Sequence, residues 1–153
     1  MRGLARDLDL VTQAIHSIFL YAACTEDGYV KVGISGQPAA RLLQINAGSP
    51  SPVGAAQWVW IGSLTRARQI ERSIRKEWAA RHTRGEWYRF DYSRAAEKVE
   101  FHATLDAVVE VATGSKPEWQ RFGPRQVEQM VRDGQEAEKA TKSRRKKHPW
   151  QQP

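Results

Sequence analysis

Only one cysteine, Cys24, stands in this chain of 153 residues. No disulfide can therefore close within it, and a reducing compartment is the natural setting. In an apolar strand that thiol is expected to be buried and inert. The four histidines are scattered, and no His/Cys grouping has zinc-ligand spacing. There is no glycine-rich loop ending in lysine to cradle phosphates, and no Ser-His-Asp ordering stands out. No internal repeat is visible. No apolar run is long enough to span a bilayer. The apolar stretch near 18–24 is approached through Arg6, Asp7 and Asp9, which interrupt a signal-peptide pattern. A cytoplasmic protein without a membrane partner is expected.

Hydrophobic residues make up 41% of the chain, enough for a core and against wholesale disorder. The length suits one domain with an extension. The formal net charge is +7, a balance that suits nucleic acid as a partner. Its distribution matters more than its total. Residues 139–153 hold Lys139, Lys142, Arg144, Arg145, Lys146 and Lys147 and no acid, so the remainder of the chain is nearly neutral. Such an end is either solvated and disordered or a mobile arm that neutralises phosphates and releases counterions. An arm of that kind adds affinity, not base specificity.

Two β-rich runs joined by a reversal organise the rest. The first is Ile18 to Cys24 and the second Tyr29 to Ser35, with Thr25-Glu26-Asp27-Gly28 between them. Asp and Gly suit a turn that needs a positive φ. In the second run alternate side chains share a face. Val30, Val32 and Ile34 point to one side, the expected core. Tyr29, Lys31, Gly33 and Ser35 point to the other and offer a phenol, an amine and a gap without a side chain. Gly36-Gln37-Pro38 then opens a helix from Ala39 to about Asn46, with Leu42, Leu43 and Asn46 on one side. Arg41 lies on a different side, so packing does not explain it.

Residues 47–52 are expected to form a loop, since two prolines and a glycine disfavour a regular element. A third strand is expected at about Ala55–Ile61, with Trp58 and Trp60 on one face and Gln57, Val59 and Ile61 on the other. Ser63 or Thr65 caps the next helix, Leu64 to about Arg81. Leu64, Ala67, Ile70, Ile74 and Trp78 form its apolar stripe, and Glu71 falls inside that stripe. A carboxylate on a packing face costs roughly several kcal/mol unless it is paired, hydrogen-bonded or metal-bound. Two readings remain: an ion pair with a nearby arginine, or a ligand for a hard cation, for which carboxylate oxygen is the right chemistry.

Gly85 ends the helical region, and Glu86 to Phe90 reads as a short strand or extended segment. Its aromatics cover core or a sheet edge, or stack on bases. His82 is left open between a surface role and the active face. Ser93 is expected to cap a helix through about Val111. Gly114-Ser115-Lys116-Pro117 reads as a linker, and Val127, Met130 and Val131 as a small amphipathic helix. Near the start, Leu4, Leu8, Val11 and Ile15 suggest a helix over 4–15. Three segments result: 1–16 helical, 17–112 a folded domain, and 113–153 linker, short helix and basic tail.

Several of these residues fall in a familiar order. Tyr21 ends Phe19-Leu20-Tyr21 on the first strand, and Lys31-Val32-Gly33 stands about ten residues on. Arg41 lies eight residues past Gly33, Glu71 sits on a later helix, and Gly85-Glu86-Trp87-Tyr88 follows. The set resembles the GIY-YIG nuclease superfamily over roughly 17–90. The GEW-aromatic run looks like a phage-associated branch described as DNA-binding. Lys31 departs from the family's usual tyrosine, and Phe19 stands where its first motif has glycine.

The resemblance implies a small α/β domain: a central three-stranded antiparallel sheet flanked by helices, plus a C-terminal helical and basic tail. It implies a divalent-metal-dependent DNA endonuclease that hydrolyses phosphodiester bonds with Mg2+ or Mn2+ as cofactor. Glu71 would hold the metal and Arg41 the phosphate. Tyr21 would orient or deprotonate water, which for a phenol of ordinary pKa needs a nearby cation. Lys31 would bind phosphate or tune Tyr21. Gly33 would leave room for the nucleic-acid backbone, and Lys142, Arg144, Arg145, Lys146 and Lys147 would add phosphate contacts. The alternative is a non-catalytic DNA-binding module on the same scaffold; a third reading is a structural RNA-associated protein that uses its basic tail. One site cuts one strand at a time, so double-strand cleavage would call for a homodimer, repositioning or a partner protein.

Overall fold

The computed structural model describes residues 17–49 and 51–146. The helix expected over 4–15 and the basic residue Lys147 lie outside the described residues. Within them are strands β1 (Phe19–Thr25), β2 (Tyr29–Ser35), β3 (Val53–Trp60), β4 (His82–Arg84), β5 (Trp87–Arg89) and β6 (Gln120–Phe122). The helices are α1 (Pro38–Gly48), α2 (Leu64–Glu77), α3 (Ala95–Thr113) and α4 (Pro124–Lys146), with a 3-10 turn at Ala79–Arg81. The strands form one sheet in the order β4-β5-β2-β1-β3-β6, and every pairing is antiparallel.

The expected sheet of three strands is therefore corrected to six. The three principal strands are present near their expected bounds, and the additions are edge strands of three residues each. Three residues are too few to display a period of two. His82–Arg84 was hidden by helical periodicity read through to Arg81, whereas α2 stops at Glu77 and Trp78 caps it. Ser63 caps the other end of α2, its hydroxyl accepting from the Arg66 N–H. Ser93 caps nothing: its hydroxyl bonds Asp91 at 2.5 Å, and α3 starts from Arg94 with no side-chain cap.

Alternation along β1 divides the sheet into two faces. Leu20, Ala22 and Cys24 join Val30, Val32 and Val59 in one cluster, covered by Ala67, Ile70, Ile74 and Trp78 of α2 and Phe101, Leu105 and Val109 of α3. Tyr21 and Ala23 join Ala56 and Trp58 in the other, covered by Leu42 and Ile45 of α1 and Val127 of α4. Helices thus lie on both faces, an α/β/α arrangement that buries the central strand on both sides. Segment 113–146 is part of this body, since β6 pairs with β3 and Val127 is 1% exposed. The basic residues Lys139, Lys142 and Arg144 stand on the helix α4, which runs to Lys146, not on a mobile arm.

The β1–β2 reversal aligns the chemistry. Gly28 has φ +93, and a Cβ there would meet the Phe90 carbonyl oxygen at 2.5 Å, so glycine is required on both counts. Thr25 accepts from the Tyr29 N–H at 2.9 Å and donates to Asp27 at 2.6 Å. With the turn fixed, Tyr21 falls opposite Gly33 and Ala23 opposite Lys31.

Candidate active site

The site is built on the β2 side of the sheet, where β5 pairs only with Tyr29, Val30 and Lys31. Beyond Lys31, no further strand pairs with the outer edge of β2 among the described residues. Tyr21 leans across from β1 over Gly33. A Cβ at 33 would fall 2.7 Å from the Tyr21 Cζ and closer still to its hydroxyl oxygen. The gap at Gly33 is thus filled by this chain's own phenol.

Arg41, one turn into α1, reaches the same point. Its Nε donates to the Tyr21 hydroxyl at 3.4 Å and one terminal nitrogen donates to Gln44 Oε1 at 2.9 Å. The remaining N–H groups of the guanidinium have no partner among the described hydrogen bonds, which leaves part of a planar fork for an anion. The Tyr21 phenol is pushed above its usual range, by burial first and by the charges of Glu86 and Glu71. The Arg41 hydrogen bond and charge oppose this and do not prevail. A neutral phenol donates one hydrogen bond and accepts others. It suits holding a water or phosphate oxygen, not taking a proton at neutral pH.

Glu71 enters from α2. It is half-buried beside the core residues Ile70 and Ile74, and its carboxyl is raised by burial first and then by the Glu86 charge. Arg75 and Arg68 pull the other way from a distance. No ion pair reaches Glu71 among the described residues. The expected alternative, a salt bridge to a helical arginine, is not formed. Among the described residues no group of three or more His, Cys, Asp and Glu could enclose a metal. A lone, partly desolvated carboxylate still fits a cation of the Mg2+ type, which keeps several waters and takes one or two carboxylates plus substrate phosphate.

Lys31 is held differently from Arg41. Its Nζ lies 3.6 Å from Glu86 Oε2 and 5.6 Å from the Trp87 ring centre. The positive charge that acts on Tyr21 is that of Arg41, not Lys31. Glu86 is the residue to which sequence reasoning gave no role. Its charge acts on Tyr21, Arg41, Glu71 and Tyr88 alike, so it belongs to the site. Only the GEW run could have signalled it. Tyr88 is buried edge-on to Trp78 in the cluster on the other face, with Arg75 beside its hydroxyl. His82 braces the β4–β5 turn, its Nε2 lying 2.7 Å from the Gly85 carbonyl oxygen.

Tyr21, Gly33 and Arg41 thus meet at one end of the sheet, with Glu71 of α2 within electrostatic reach of the same phenol and Lys31 two residues along β2. Lys142 and Arg144 are exposed on α4 and are not part of this cluster. A comparison with protein families matches residues 18–112, more than half of the chain, from β1 to the last turn of α3. The chain belongs to the T5orf172 domain family. This is a phage-associated domain met in nuclease contexts and tied to DNA binding. No curated protein and no solved structure matches the chain. The T5orf172 match covers Tyr21, Lys31, Gly33, Arg41, Glu71 and Glu86, and stops short of β6 and α4. No helix among the described residues is long and apolar enough to cross a membrane.

Proposed function

We infer that this T5orf172 domain is a divalent-metal-dependent DNA endonuclease that works in the manner of GIY-YIG enzymes. The observation that carries the reading is the hydrogen bond between Tyr21 and Arg41 over Gly33, with the unpaired carboxylate of Glu71 within electrostatic reach of the same phenol.

Hydrolysis forms a bond from water oxygen to phosphorus and breaks the bond to the leaving ester oxygen. The transition state gathers negative charge on the phosphoryl oxygens. Arg41 meets that charge with a cation that stays protonated; its hydrogen bond to Tyr21 raises its pKa further. The Tyr21 hydroxyl, fixed by Arg41, orients the water or a phosphoryl oxygen. A Mg2+ or Mn2+ ion held by Glu71 would supply positive charge to the scissile group when bound. Glu86, held by Lys31, sets a negative field beside these groups.

A second reading, a DNA-binding module without hydrolysis, draws on the raised pKa of Tyr21 and on the engagement of Lys31 by Glu86. Supercoiled plasmid incubated with wild type and Glu71→Ala, each with Mg2+, Mn2+ or chelator, separates the two. Nicking or linearisation by wild type with metal alone supports hydrolysis. Retained DNA binding with no cleavage by either protein would leave the module. Equal cleavage by both would remove Glu71 from the site.

A further inference from the structure

Next to the site, the register of β2 and β5 makes a block of four side chains on one sheet face. Tyr29 stands opposite Arg89, and Lys31 opposite Trp87. Each aromatic is matched with a cation across the strands: Arg89 lies 5.0 Å from the Tyr29 ring centre and Lys31 lies 5.6 Å from that of Trp87. Tyr29 and Trp87 are both partly exposed.

This block borders an open groove of about 770 Å³, whose walls include Tyr29, Lys31 and Trp87 together with Arg84 and Glu86 of the β4–β5 hairpin. Ser49, past the end of α1, closes the far side. The size lies within the range of sites that take a drug-sized ligand, roughly 300–1,000 Å³. Gly48 and Gly85 leave backbone open to the groove, for a side chain at either would meet nothing within 4 Å. The hairpin wall is braced, since Thr83 Oγ1 donates to the Trp87 carbonyl at 3.1 Å. The acid in the lining, Glu86, is already engaged by Lys31. Arg84 is exposed and makes no ion pair among the described residues, so it is free to meet an anion.

We propose that this groove is a subsite for one unpaired nucleotide of the DNA strand, next to the phosphate held at Arg41, with its base stacked on the Tyr29–Trp87 surface and its phosphate met by Arg84. The proposal rests on the DNA-cleaving reading of the neighbouring site for its orientation. Aromatic faces beside cations, lining a groove, are the chemistry that holds single-stranded nucleic acid without base selection. Continuity is set by the strand itself. Lys31 is two residues from Gly33 and Tyr29 four, about 7 and 14 Å along β2, so a strand whose phosphate is held by Arg41 at the Tyr21 hydroxyl has the groove one or two nucleotides away. A base inside a duplex has both faces covered by its neighbours, so only an unpaired one presents a face to these rings.

The test uses the full-length protein with EDTA, which removes cleavage from the readout. The probe is a set of short single-stranded oligodeoxynucleotides carrying 2-aminopurine at successive positions. Stacking in the groove should quench fluorescence strongly at one position and weakly elsewhere. Trp87→Leu and Tyr29→Leu should each abolish that positional quench and weaken binding roughly tenfold or more. Arg84→Ala, on an exposed hairpin, should weaken binding several-fold while leaving the thermal midpoint unchanged, which guards against loss through misfolding. A fully paired duplex should show no quench. Uniform quenching along the strand, or a positional quench untouched by all three substitutions, would overturn the subsite. A protein that never cleaves plasmid yet shows the quench loses only the hydrolytic reading; one that cleaves without it loses only the groove.

Discussion

The phenol of Tyr21 occupies the volume that any side chain at Gly33 would need. Strand pairing puts the two residues directly opposite each other, and Arg41 then fixes the hydroxyl from α1. Gly33→Ala tests this relationship. Alanine would reduce the freedom of the unfolded chain, a gain of ~0.4–1 kcal/mol where the backbone tolerates it. Here the new methyl overlaps a rigid ring that is 4% exposed, and overpacking of that kind costs ~1–3 kcal/mol. The clash should win. The thermal midpoint is expected to fall by several degrees, and cleavage to fall with it as the Tyr21–Arg41 bond breaks. An unchanged midpoint with full activity would show that the ring moves aside freely.

Arg41 should act on rate more than on stability. Its bond to Tyr21 is long, at 3.4 Å, and its removal leaves the core residues Leu42 and Ile45 in place. Arg41→Ala is expected to lower single-turnover cleavage at saturating DNA by about 10²–10³, the usual loss for one donor to developing negative charge. Arg41→Lys should recover only part, because an ammonium lacks the planar fork. A rate within twofold of wild type for the alanine variant would take Arg41 out of the chemistry.

Cys24 offers a prediction about pH that does not involve the site. Its thiol is buried against the Tyr92 hydroxyl at 3.0 Å, and burial pushes its pKa up to about 12 from an ordinary value of 9.0. The folded value exceeds the unfolded one, so the folded state holds the proton more tightly. The contribution to stability is complete below pH 9.0 and is lost as pH rises toward about 12. A thiol reagent at about pH 8, below that ordinary value, should therefore leave the native protein unmodified and react with one equivalent after denaturation. Rapid modification of the native chain would contradict burial of the thiolate-forming group.

The parts of this fold that the sequence displayed were those with enough residues to show a period. Val30, Val32 and Ile34 alternated clearly, and the stripe of Ala67, Ile70, Ile74 and Trp78 marked α2, with Leu64 at its exposed start. Glu71 stood out because it broke that stripe, and three residues singled out by the resemblance, Tyr21, Gly33 and Arg41, lie together in the fold. The edge strands were not legible, since three residues carry no pattern and their pairing depends on partners far along the chain. Glu86 was invisible as chemistry for a related reason. Its place beside Lys31 comes from the β2–β5 register, a tertiary fact. The length of α4 was hidden by charge: a polar helix without a wide apolar face reads as a tail.

That helix supports the last prediction. Val131 and Val127 sit by Asn46 and Val53, at the far end of α1, whereas Gly134 lies against Leu43. Moving forward along α4 therefore means moving back along α1, toward Pro38 and Arg41. From Gly134 to Lys142 the helix rises about 12 Å, and from Leu43 back to Pro38 about 7.5 Å. Lys142 consequently lies toward the Arg41 end of the domain, where its charge can neutralise phosphates of bound DNA. Deleting 139–153 removes exposed turns of α4 and leaves Val127 buried, so the thermal midpoint should hold. The slope of log affinity against log salt should become shallower by about 0.9 for each duplex phosphate that the shortened helix no longer neutralises, on every sequence tested. The chemical step at saturating DNA should be unaffected. An unchanged salt slope would mean that the basic end of α4 does not touch the substrate at all.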